Sequence, residues 1–144
     1  MVRIEHLRSW ADPVPTIGKG VYRLTDSAWH SKHWYHKGSP FDAQGRYVLF
    51  LRYKPGQRTA KICTLDLREG HARVIGETQS WTDHAAAQQQ WAGDRGRVVF
   101  QDRADGRRVI VSVGAEGEDE RRYLLDLVFH HVDNEGRYGY ARST

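Results

Sequence analysis

A turn ending in Gly-Arg recurs three times in this chain, and it limits the fold more than any other feature. The copies are Phe41-Asp42-Ala43-Gln44-Gly45-Arg46-Tyr47-Val48, Ala92-Gly93-Asp94-Arg95-Gly96-Arg97-Val98-Val99 and Val132-Asp133-Asn134-Glu135-Gly136-Arg137-Tyr138-Gly139. In each, a polar turn closes on glycine, which supplies the positive φ of a tight hairpin, and an apolar or aromatic run follows. The three glycines stand 51 and 40 residues apart. A period of that length with several short strands per unit predicts propeller blades.

The strands between the turns fit such a unit. Arg46 to Tyr53 is apolar on both faces, so it needs cover on both sides. Ala60 to Asp66 and Ala72 to Glu77 follow, separated by Arg68-Glu69-Gly70. Arg97 to Arg103 and Arg107 to Val113 flank Ala104-Asp105-Gly106, and Arg121 to Leu127 is the next strand. Asp83 to Trp91 carries three alanines and three glutamines, which favour helix by propensity. The repeat nevertheless places it in the innermost-strand slot, so a strand is expected there.

The fold expected is therefore all-β: a partial β-propeller of about two four-stranded antiparallel blades plus the start of a third. An N-terminal strand and lead-in would occupy 1–35, blade 1 36–80, blade 2 81–127, and a truncated third blade 128–144. Two blades and a piece expose edges and faces that a closed ring covers, so self-association is expected.

Charge and hydropathy narrow the class. Of 22 basic residues five are lysines and 17 are arginines, against 18 acidic ones. An excess of +4 does not call for nucleic acid, whereas the planar guanidinium suits carboxylate or phosphate. No run approaches a membrane span, and Met1 to Trp10 has no secretory pattern, so no membrane partner and a cytoplasmic location are expected. The single cysteine, Cys63, sits beside Ile62 near Leu65 and fits a buried structural thiol.

Six of the eight histidines gather in three places: His30, His33 and His36, then His84, then His130 and His131. Each group leads into or forms a predicted innermost strand, where propellers line their central channel. An imidazole there is suited to general acid or base work, or to simple packing. The spacing His30-x-x-His33-x-x-His36 places its members on alternate faces of a strand, so no metal site is expected from this run. Trp29, Trp34, Tyr35, Trp81 and Trp91 flank the histidines; flat rings stack on sugar faces or fill the space between blades. Lys37 adjoins an inner position.

Val21-Tyr22-Arg23-Leu24-Thr25, the His/aromatic cluster, Ser39 to Phe50 and Ile62 to Leu67 together resemble the opening of oligogalacturonate-lyase-type propellers. Trp81 to Asp102 is similar to the matching blade of ulvan lyases, and the resemblance spans Gly20 to Thr144. It implies β-elimination on an acidic polysaccharide, in which a base removes the C5 proton of a uronate. In the pectate-type branch, residues beyond Thr144 would hold a divalent metal. In the ulvan-type branch, histidine and tyrosine act as base and acid, which makes His84, then His36, the catalytic candidates. Arg52, Arg103, Lys37, Trp34 and Trp91 are the candidates for binding the acidic saccharide. The alternative is a non-catalytic propeller platform for a protein or glycan.

Overall fold

A computed structural model describes residues 2–3, 9–10, 21–22, 25, 28–34, 38–93, 96–124, 128–132 and 139–142. Within them the protein is all-β, with no helix and hence none long and apolar enough to cross a membrane. Its strands are β1 (Val2–Arg3), β2 (Ser9–Trp10), β3 (Val21–Tyr22), β4 (His30–Lys32), β5 (Tyr47–Tyr53), β6 (Ala60–Asp66) and β7 (His71–Thr78). The second half supplies β8 (Gln90–Trp91), β9 (Arg97–Ala104), β10 (Arg107–Gly114), β11 (Arg121–Leu124), β12 (Val128–Val132) and β13 (Gly139–Arg142).

Two antiparallel four-stranded meanders dominate. β4, β5, β6 and β7 lie side by side in chain order, and β1 adds a fifth strand at the β7 edge. β8, β9, β10 and β11 form the second sheet in the same order. The strands expected at 46–53, 60–66, 72–77, 97–103 and 107–113 sit within one residue of their limits, and that expected at 121–127 is described to Leu124. β12 pairs with β13, and β2 with β3, so the strand expected near Gly20 to Thr25 has Ser9–Trp10 as its partner.

The sheets pack face to face because their inner faces are apolar. Leu49, Leu51, Ile62 and Ile75 of the first meet Val98, Phe100, Val109, Val111 and Val113 of the second. Leu51, Ile62, Val98, Phe100, Val111 and Val113 have no exposed surface. Full burial of each such side chain favours folding by roughly 1.5–3 kcal/mol. Gly76 makes room for this layer: a Cβ there would lie 2.6 Å from Phe100 Cζ. Polar seams close the edges. Thr64 Oγ1 donates to the Ala115 carbonyl and Thr78 Oγ1 to that of Gln101, each at 2.6 Å.

The two described Gly-Arg turns are not equivalent in register. Phe41 bridges Val48, and Trp91 pairs with Val98, so these places correspond at a displacement of 50 residues, one less than the glycine spacing. Likewise Leu67 N–H donates to the Arg46 carbonyl at 2.8 Å, and Ala115 N–H to that of Gly96 at 2.9 Å. Gly96 thus takes the place of Arg46, and Arg97 that of Tyr47. The two arginines have different tasks. Arg46 donates to Asp66 Oδ2 from Nε at 3.0 Å and from Nη2 at 2.6 Å. Arg97 reaches Ser112 and Asp119 on the second sheet. Among the described residues Arg46 makes no ion pair with Asp42, whose carboxylate accepts the Tyr47 N–H at 2.7 Å. Asp94, Asp133 and the third copy's Gly136 and Arg137 lie outside the described residues.

The strand expected over Asp83 to Trp91 shrinks to Gln90–Trp91. The chain folds back instead. Thr82 bridges Ala86, Ala85 N–H donates to Thr82 Oγ1 at 2.9 Å, and Ala86 and Gln88 take left-handed φ of 48° and 52°. Such residues cannot continue a strand. Ala86 and Ala87 are buried in the core between the sheets, where only small side chains fit a turn so close to β9.

Candidate functional site

The turn at Thr82–Gln88 forms one wall of a cleft of about 590 Å³ at the seam of the two sheets. The opposite wall is the β5–β6 loop, which supplies Gln57 and Arg58. Gln79, Ser80 and Trp81 come from the connection that leaves β7, and Gln101, Arg103 and Arg108 from β9 and β10. Three arginines and four glutamines thus line the cleft, with no carboxylate among its lining residues.

A two-residue turn sets the arginine geometry. Asp105 and Gly106 have φ of 51° and 75°, the pattern of a type I′ hairpin. This turn pairs Ala104 with Arg107 and Arg103 with Arg108. Cross-strand partners stand about 5 Å apart at Cβ, where like charges repel. Neither Arg103, Arg108 nor Arg58 has an ion-pair partner among the described residues. Other arginines of the two sheets are matched. Arg73 meets Glu116 at 3.3 Å, Arg97 and Arg121 share Asp119, and Arg122 holds Asp102 at 3.0 Å.

Trp81 fixes the wall. Its indole N–H donates to the Arg58 carbonyl at 2.7 Å, and its ring lies 4.6 Å from that of Tyr53. Gln101 Nε2 donates to Gln88 Oε1, which ties the turn to β9. Lys32 Nζ donates to the Asp83 carbonyl at 2.8 Å and meets its carboxylate at 3.2 Å, so β4 holds the same turn from the first sheet.

Of the expected site residues, Arg103 is in the cleft. His84 is exposed on the turn beside the lining residue Ala85. Arg52 is not in the cleft: it is buried on the outer face of the first sheet with its guanidinium 4.6 Å from the Trp29 ring. Trp34 is buried. Trp91 packs at the far end of the seam, its N–H donating to the Pro40 carbonyl at 2.9 Å and its ring 6.3 Å from Tyr47. His36 and Lys37 lie outside the described residues. His30 stacks beside Tyr53 at 5.3 Å on β4, the strand whose Lys32 grips the His84 turn, so two histidine groups do come to one end of the fold. Among the described residues, no three His, Cys, Asp or Glu side chains are grouped to hold a metal.

Arg58, Arg108 and Trp81's anchoring role were not among the expected site residues. The signal for Arg108 is present in the chain: a two-residue Asp-Gly hairpin after Arg103-Ala104 obliges residue 108 to face residue 103. Arg58 carries no such mark, since only packing of the β5–β6 loop against the second sheet brings it there.

Comparison with protein-family models, with curated proteins and with solved structures finds no match to this chain.

Proposed function

We propose that this chain forms successive blades of a β-propeller and that the cleft between them binds an acidic saccharide. Two meanders of the same strand order, stacked face to face, support the propeller reading. So does the connection from β7, the last strand of the first meander, to β8, the first of the second.

One observation carries the ligand class: Arg58, Arg103 and Arg108 line one cleft that contains no carboxylate. Guanidinium forks match carboxylate and sulfate oxygens two at a time. The glutamine amides, Ser80 and Thr82 add the donors and acceptors that sugar hydroxyls require, and Trp81 adds apolar surface. A neutral sugar needs no such charge, and an apolar ligand would desolvate the three guanidinium groups with no anion to meet them.

Catalysis by β-elimination is the activity proposed for this site: His84 at the rim takes the C5 proton of a uronate, the C4–C5 double bond forms as the C4–O4 bond breaks, and water protonates the leaving oxygen. The alternative of a platform that binds without cleaving is kept, because no histidine or tyrosine lines the cleft itself. Titration of the protein with an acidic and a neutral oligosaccharide of equal length tests the ligand class. Binding of the acidic one alone is expected; equal affinity for both would refute it. Ultraviolet absorbance of unsaturated uronate then separates the two readings. Under the lyase reading the signal grows with time and His84→Ala slows it by roughly 10². Under the platform reading no product forms.

A further inference from the structure

A second group of cations stands on the face of the first sheet turned away from the second. Trp29 lies just before β4, half-buried. Around its ring centroid are Arg52 Cζ at 4.6 Å, Lys54 Nζ at 4.7 Å and Lys61 Nζ at 5.5 Å. Arg52 alternates along β5 with Leu51 and Tyr53, which pack towards the second sheet. Its side chain therefore belongs to the outer face, with Phe50 and Cys63.

Among the described residues the charges there do not balance. Arg52 is 5% exposed, has no carboxylate partner among the described residues, and its Nε has no hydrogen-bond acceptor. Among the described residues the one carboxylate that Lys61 meets is that of Glu77, at 3.9 Å, and its side chain is 58% exposed. An aromatic face attracts cations through its quadrupole but brings no net charge. A buried guanidinium with an unused donor is costly unless an acceptor reaches it.

We infer that Trp29, Arg52, Lys54 and Lys61 form an oxyanion-binding subsite, which takes a carboxylate, sulfate or phosphate group. Lys54 and Arg58 stand on the same β5–β6 loop, which separates this subsite from the cleft. The inference does not need the saccharide reading of the cleft. If both hold, a polyanion long enough to cross that loop engages both places.

The test follows the indole N–H resonance of Trp29, assigned by its loss in Trp29→Phe, during titration with sodium sulfate, phosphate and acetate at ionic strength held constant with chloride. A saturable shift with at least one oxyanion is expected, and the strongest responder shows whether a tetrahedral group or a carboxylate is preferred. The double variant Lys54→Ala/Lys61→Ala, whose changes lie at the solvent side, should raise the apparent Kd at least about fivefold. Arg103→Ala should leave the titration unchanged, so this result stands apart from the fate of the cleft. No saturable shift with any of the three anions, or an unchanged Kd in the double variant, would overturn the inference.

Discussion

Arg103 and Arg108 face each other across the β9–β10 hairpin, and neither meets a carboxylate among the described residues. Like charges placed directly opposite on a sheet are destabilising, so this pair is a cost in the empty protein. Arg108→Glu turns it into an attractive pair. It should raise stability by about 0.5 kcal/mol in chemical denaturation while weakening binding of an acidic oligosaccharide at least about tenfold. Unchanged binding, or a loss of stability, would count against an anion site.

Asp66 is the buried anchor of the first Gly-Arg turn. Burial pushes its carboxyl up, but the Arg46 guanidinium and the N–H groups of Arg68 and Glu69 outweigh it and hold the value below the ordinary 3.8. A lowered carboxylate stabilises the fold above its unfolded-state value and loses that contribution as pH falls through the folded one. Stability should thus decline below about pH 4, and Asp66→Asn should flatten the decline while costing about 2 kcal/mol at neutral pH. An acid limb of the same steepness in the variant would contradict this role.

Tyr47 ties the sheets together at the end opposite the cleft. Its hydroxyl donates to Glu116 Oε1 at 2.7 Å, and burial, with that bond, pushes its pKa from 10.0 up to about 12. A raised value means that the neutral phenol stabilises the fold. The contribution is complete below pH 10 and is lost as pH rises through about 12. Tyr47→Phe should cost about 1 kcal/mol at pH 7 and remove most of the alkaline loss. Denaturation midpoints that fall equally above pH 10 in both proteins would show that Tyr47 is not the group involved.

Gly76 tests the face-to-face packing. Gly76→Ala drives a methyl against Phe100 in the centre of the core, and should destabilise by about 1–3 kcal/mol. Adding Phe100→Leu to Gly76→Ala should recover part of the loss, since the ring then no longer opposes the methyl. A neutral Gly76→Ala would mean that the sheets lie farther apart than described.

The parts of the fold legible in the chain are those fixed by local alternation. β5, β6, β7, β9 and β10 are long apolar strands between turn residues, and their limits follow from pattern alone. The Gly-Arg repeat marks the two large antiparallel meanders but sets their register wrong by one residue, because Gly45 and Gly96 both adopt left-handed φ at different steps of their turns. The approach to β8 was not legible: helix propensity and repeat position competed, and hydrogen bonds from Thr82 decided for a turn. Of the two arginines expected in one site, Arg103 lines the cleft, whereas strand alternation places Arg52 on the outer face with Phe50. Arg58 and Trp81 reach the cleft only through contacts between loops far apart in sequence, which no local pattern records.

The most direct measurement of the central claim is calorimetric titration of an acidic oligosaccharide at two salt concentrations, with the wild type and with Arg103→Ala/Arg108→Ala. Exposed charge interactions are screened over about 10 Å at 0.1 M salt. The wild type should bind, and its affinity should fall several-fold at the higher salt. The double variant should bind at least about tenfold more weakly and respond less to salt. Equal affinity in the two proteins, or wild-type affinity indifferent to salt, would contradict an acidic saccharide held by this arginine pair.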